Sequence, residues 1–213
     1  MTTILCYGDS NTWGMVPMNS LTSAARHARM GRWPSAVQDR LGASATIIAE
    51  GLNGRTTVFD DPIDGAHKNG RTYLLPCLES HAPLDLVIIM LGTNDLKTRF
   101  NLCPHDIAAG AGKLVQMVTA DVRGQNGVVP RVLLICPPRI GPLSLFADVF
   151  AGAPEKSKQL DKHYRAIAGM LGCYYLNAAE HAAASDTDGI HLDAGQQHAL
   201  GIAVADYLQP LLA

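Results

Sequence analysis

The sequence has no surplus of charge of either sign. Lysine and arginine number 17 and aspartate and glutamate 19, a formal net charge of −2. No basic field is available to hold a nucleic acid or an anionic lipid surface. Long apolar runs are also missing. The longest, such as Leu86 to Leu91, falls far short of a membrane span. No basic, then apolar, leader precedes the first strand pattern, so we expect no secretion signal and a cytoplasmic protein. Five cysteines stand at 6, 77, 103, 136 and 173, with no Cys-x-x-Cys pair. That removes the usual zinc and redox motifs and fits buried thiols in a reducing compartment. Charged residues make up only 17%, against 47% hydrophobic, which excludes long disorder. There is no internal repeat, and 213 residues suit one buried α/β domain spanning 1–213.

What is present is an alternation of apolar strands and amphipathic helices. Strands are expected at Thr3–Tyr7, Thr46–Ala49, Leu84–Leu91, Arg131–Cys136 and Cys173–Leu176. Between them, Trp33, Val37 and Leu41 recur at helical spacing, with Pro34 and Gly42 as start and stop signals. A helix is expected within Arg71–His81, where Pro76 must kink it or occupy its first turn. Pro104–Val122 carries a helical apolar face, as do Leu160–Leu171 and the stretch from about Asp193 to Leu211. Such alternation predicts a five-stranded parallel sheet with helices on both faces. Two stretches lack any period. Met15–Gly31, with Arg26, His27, Arg29 and Arg32, reads as a loop beside a site. Arg139–Pro154 reads as a pocket wall or subunit contact through Leu143, Leu145, Phe146, Val149 and Phe150.

In this kind of fold the loops after the strands share one edge, and sites form there. Gly8-Asp9-Ser10 follows the first strand. Taken alone, Ser10 reads as a helix N-cap. A serine nucleophile needs a base, and the base needs an orienting acid. Of eight histidines, His191 stands out: it opens the final helix, and Asp188 precedes it by one turn with Gly189 between. Alone, His191 at a helix start with Asp193 as N-cap is the better account, and Asp188 reads as a turn residue before glycine. Crowding of Asp186, Asp188, His191 and Asp193 raises metal binding, but the loop lacks the acidic spacing of a calcium loop. We expect no metal and no cofactor. Acyl transfer also needs donors at the developing oxyanion. The Ser10 N–H, Gly54 and the Asn94 amide, each on a strand-end loop, can supply them, although alone Gly54 reads as a turn residue and Asn94 as a cap beside Asp95.

Gly-Asp-Ser near the start, Gly54, Gly92-x-Asn94-Asp95 and Asp188-x-x-His191 resemble, in block order and over almost the whole chain, the SGNH (GDSL-type) hydrolases. The fuller wording, Gly-Asp-Ser-x-Thr-Trp-Gly and Gly-Leu-Asn-Gly-Arg-Thr-Thr, is similar to the bacterial arylesterase/acyltransferase branch. The resemblance implies a flavodoxin-like three-layer α/β/α fold. It implies Ser10 as nucleophile, His191 as base, Asp188 as its partner, and Ser10, Gly54 and Asn94 as oxyanion hole. The implied activity is hydrolysis of small aryl or short-chain acyl esters, with acyl transfer to alcohols or peroxide as a second activity. A carbohydrate O-acetylesterase of the same family is the nearest alternative. A flavin- or nucleotide-binding module is the alternative from another class, although the first loop lacks Gly-x-Gly-x-x-Gly and a Gly-Lys-Ser/Thr ending. Asn11 stands where the family's name has leucine, and on this reading it alters the wall beside the nucleophile and hence the acyl preference. Trp13 and Met15 are further candidates for an apolar wall, with core packing the default reading of Trp13. The expected partner is a small-molecule ester, with a homo-oligomeric state and neither nucleic acid nor membrane.

Overall fold

Runs of β-branched and leucine residues with no polar interruption can be buried only by covering both faces of a sheet, and that is where they lie. The computed structural model describes residues 1–22, 24–121 and 127–212. Five strands, β1 (Thr2–Gly8), β2 (Ala45–Gly51), β3 (Leu86–Met90), β4 (Arg131–Cys136) and β5 (Tyr174–Asn177), form one sheet in the order β2-β1-β3-β4-β5. Every pairing is parallel. This is the flavodoxin-like strand order, and its direction reverses between β1 and β3.

Among the described residues, seven α-helices accompany the sheet: α1 (Ser10–Trp13), α2 (Trp33–Leu41), α3 (Gly70–His81), α4 (Pro104–Asp121), α5 (Ala153–Ser157), α6 (Leu160–Leu171) and α7 (Ala194–Leu212). Alternate strand residues point to opposite faces, so each strand feeds two cores. Leu5, Tyr7, Val87, Ile89 and Leu134 pack with α3, α4 and α6. Ile4, Cys6, Ile88 and Leu133 pack on the other face with α2 and α7. The three layers match the fold read from the sequence.

The differences are local. Pro76 sits in the middle of α3 and does not end it. It lies on the exposed side together with Thr72, the residue whose carbonyl it leaves without a helical partner, so water meets that carbonyl. The stretch 139–154 is turns, and α5, which the sequence reading lacks, begins at its end. Met15–Gly31 is a loop fastened by a Met15–Arg26 bridge and one short 3-10 turn at Arg29–Gly31. The final helix starts at Ala194, not at His191. Asp193 is its cap, accepting from the Gln196 N–H at 2.9 Å. His191 therefore belongs to a tight turn ahead of the helix. Val122, assigned to the α4 face, lies outside the described residues.

Candidate active site

β1 ends at Gly8, and Asp9 caps the short helix α1 by accepting the Asn11 N–H at 3.0 Å. The cap is thus Asp9, not Ser10. Ser10 is left as the first residue of α1, with its N–H at the open end of the helix. Its hydroxyl lies 3.0 Å from His191 Nε2. On the far side of the ring, His191 Nδ1 lies 2.7 Å from Asp188 Oδ2. An ionised carboxylate only accepts, so Nδ1 carries the proton, Nε2 is the acceptor and the Ser10 hydroxyl donates to it.

The turn that carries this pair is wound around Asp188. Asp188 Oδ1 accepts the N–H groups of Ile190 and His191, each at 2.9 Å, and Oδ2 also accepts the Met18 N–H at 2.7 Å. Burial alone would raise this carboxyl, but the bond and charge of the His191 ring and the N–H groups of His191 and Met18 outweigh it and hold it below its ordinary value. Gly189 has φ of +77°, a conformation that other residues adopt only with strain, and a Cβ there would strike the Pro142 carbonyl.

Gly54 comes from the loop after β2 and has φ of +79°. Asn94 comes from the loop after β3, and its Nδ2 donates one hydrogen to the Arg55 carbonyl at 3.1 Å, leaving the second free. Arg55 is itself buried and stacks 4.1 Å from the Tyr7 ring centre. Ser10, Gly54, Asn94 and His191 all open on one cavity of about 280 Å³ at the β1/β3 reversal. All five residues read from the sequence therefore meet at this edge, Asp188 directly behind His191. Chemically, the arrangement offers a hydroxyl with a base behind it, on a cavity that Gly54 and the Asn94 amide also line.

The cavity has two unlike sides. Met15, Met18, Leu145, Phe146 and Val149 form an apolar side, and the Phe146 ring meets the His191 ring edge-on at 6.3 Å. Trp13 does not line the cavity. It lies under the Arg26 guanidinium at 4.6 Å, so its expected place in the wall is corrected. The other side carries Asp64, Lys97 and Arg99, which sequence reading missed. Lys97 Nζ bonds Asp61 at 3.1 Å and Asp64 at 2.7 Å, and Arg99 bonds Asp61 at 2.8 Å. In the sequence, Asp61 and Asp64 look like turn residues, and no spacing links them to 97 and 99. Asn11 also departs from expectation. Its side chain points away from the cavity to the backbone of the His191 turn, so it is no part of the wall.

Three solved structures are similar to the chain over nearly its full length. A carbohydrate acetylesterase from Sinorhizobium meliloti is 43% identical, covering 99% of this chain and 100% of that one, with a TM-score of 0.95. An aryl esterase from M. smegmatis is 39% identical over 99% and 100% of the two chains, with a TM-score of 0.94. A carbohydrate acetylesterase family member from Sinorhizobium meliloti is 38% identical over 100% and 99%, with a TM-score of 0.91. The comparison with curated proteins gives no match. The profile of the GDSL-like Lipase/Acylhydrolase family matches residues 6–198. With that match spanning every strand but the start of β1, the chain belongs to the GDSL-like lipase/acylhydrolase family and is a carboxylic ester hydrolase of SGNH type.

Proposed function

We propose that the chain cleaves small carboxylic esters through an acyl-serine intermediate on Ser10. Ser10 Oγ attacks the ester carbonyl while His191 Nε2 takes its proton. Asp188 holds the imidazole and favours the imidazolium that forms. The Ser10 and Gly54 N–H groups and the free Asn94 amide hydrogen stabilise the oxyanion. His191 then protonates the leaving alcohol, the C–O bond breaks, and water, activated by the same histidine, releases the acid and restores Ser10. The observation that carries this reading is the unbroken chain from Asp188 through His191 to Ser10, with bonds of 2.7 and 3.0 Å.

The test is labelling by an organophosphonate with mass mapping, alongside turnover of p-nitrophenyl acetate. We expect one adduct, on Ser10, and its loss in His191→Ala. Folded protein that turns over ester without a Ser10 adduct would overturn the assignment.

A second reading concerns the substrate. The charged side formed by Asp64 and Arg99 favours a polar alcohol group, as in an O-acetylated carbohydrate, while the apolar side favours aryl and alkyl esters. The apolar side also supports transfer of the acyl group to an alcohol or peroxide in competition with water. Product analysis with p-nitrophenyl acetate and added alcohol separates transfer from hydrolysis, and a matched set of acetylated sugars and aryl acetates ranks the alcohols. We further propose a homo-oligomer in the cytoplasm. Exposed Leu21 and Leu145 at the cavity mouth and five free cysteines support this. Light scattering on the purified protein measures the oligomeric state, and a monomer at cellular concentrations would refute it.

A further inference from the structure

Asn11 follows Ser10 in the same helical turn and is 1% exposed. Its side chain makes two hydrogen bonds, both to the turn that carries His191. Nδ2 donates to the Ile190 carbonyl at 3.2 Å, and Oδ1 accepts the Leu192 N–H at 3.0 Å. The two partners flank His191 in the chain. Asn11 is held in turn from α7, where Gln197 Nε2 donates to the Asn11 carbonyl at 3.0 Å and Gln197 Oε1 accepts the Trp33 N–H at 2.9 Å.

We propose that Asn11 is a positioning residue that sets His191 in register with Ser10. The inference rests on the assignment of Ser10 and His191 as nucleophile and base. Asp188 fixes the shape of the base turn and the ring within it, but most of its bonds stay inside that turn. The Asn11 amide ties the turn to the residue next to the nucleophile. A leucine at this position, branched like asparagine but larger, can make neither bond. It would leave the Ile190 carbonyl and the Leu192 N–H buried without partners, and they would regain them by moving the turn. A shift well under 1 Å lengthens the 3.0 Å bond between Ser10 Oγ and His191 Nε2, on which both acylation and deacylation depend.

The test uses three variants of the whole chain with p-nitrophenyl acetate. For Asn11→Leu we expect kcat to fall roughly 10- to 100-fold with KM within about twofold, since the cavity wall is untouched. Phosphonate labelling of Ser10 should slow in parallel. Asn11→Asp separates register from general disruption. A protonated aspartic acid has both the donor and the acceptor of asparagine, whereas the ionised form has no donor for Ile190. The groups facing it are the carboxylates of Asp9 and Asp188, the imidazole of His191 and, beyond Leu192, that of His27; α7 presents only neutral Gln197. The activity of Asn11→Asp relative to wild type should therefore recover as pH falls from 8 to 5, while the ratio for Asn11→Leu stays flat. Asn11→Leu with kcat within twofold of wild type would overturn the proposal, as would a raised KM with unchanged kcat. If Asn11→Leu does not fold, a pH-independent ratio for Asn11→Asp overturns it alone. Ser10→Ala is the control: retained turnover there would show that the nucleophile assignment has failed, and not the inference about Asn11.

Discussion

Asn94 has a fixed direction because only one of its amide hydrogens is free. The other is held by the Arg55 carbonyl, and Arg55 is clamped by its bonds to the Gly8 and Glu50 carbonyls. A donor held in place before reaction costs no reorganisation when charge appears on the substrate oxygen. Asn94→Ala should therefore lower kcat by roughly 10²- to 10³-fold with little change in KM. Steady-state kinetics at fixed pH check this, and near-normal turnover would remove Asn94 from the oxyanion hole. Asp188 works through His191 and through the backbone at once. In Asp188→Asn the amide cannot accept at both of its ends, so either the imidazole takes the wrong tautomer and the Met18 N–H loses its acceptor, or the Ile190 and His191 N–H groups lose theirs. A fall of about 10⁴-fold, the size seen for the equivalent change in a serine protease, is the expected upper range. Unlike Asn94→Ala, this variant should also melt earlier, because it loosens the turn.

At the level of elements, the turn from Asp188 to His191 depends on backbone shape. Gly189→Ala combines a strained φ with a collision at the Pro142 carbonyl, which itself belongs to the segment walling the cavity. The expected loss is about 1–3 kcal/mol of stability with a fall in kcat, read by urea unfolding and kinetics on the same preparation. Pro76 offers the opposite case. It interrupts α3 on the exposed side and touches no site residue, so Pro76→Ala should restore a helical bond and stabilise by about 1–3 kcal/mol with unchanged turnover. The strands were legible in the sequence because burial on both faces makes a continuous apolar run, and the loops that follow them could then be assigned to one edge. Ser10, Gly54, Asn94, Asp188 and His191 were legible for that reason and by resemblance. Asn11 was misread as wall because its partners lie 179 and 181 residues away, a pairing set by packing and not by spacing. The Asp61–Lys97–Arg99 network was invisible for the same reason. α5 was hidden because its five residues are too few to show a helical period.

Across the whole molecule, the edge at which the site sits gathers four almost fully buried carboxylates, Asp9, Asp61, Asp95 and Asp188. They titrate in opposite directions. Asp61 and Asp188 are held below their ordinary range, because the bonds and cations around them outweigh burial. Burial pushes Asp9 up to about 6 against the Asn11 N–H and His191, and it pushes Asp95 up to about 6 against its bonds from Thr57. The stability supplied by the lowered pair is present above about pH 4 and is lost as pH falls through their folded values. The raised pair behaves in the reverse sense. Between about pH 4 and 6 the folded chain keeps protons that the unfolded chain has released, so their contribution is full below about 4 and is lost as pH rises through 6. Stability should therefore decline from about pH 4 to pH 6 and level off by pH 7 on account of Asp9 and Asp95, each shift being on the order of 2–3 kcal/mol in total, roughly half of it above pH 5. The decisive comparison is with a variant that lacks one of the two carboxyls. Asp95→Asn leaves the histidines in place, keeps an acceptor for the Thr57 N–H, and removes one of the two carboxyls. Urea unfolding at pH 5, 6 and 7 should show the variant losing markedly less stability than wild type across that interval. Parallel curves for the two proteins would mean that Asp95 is already ionised at pH 5 and that the Thr57 bonds outweigh its burial.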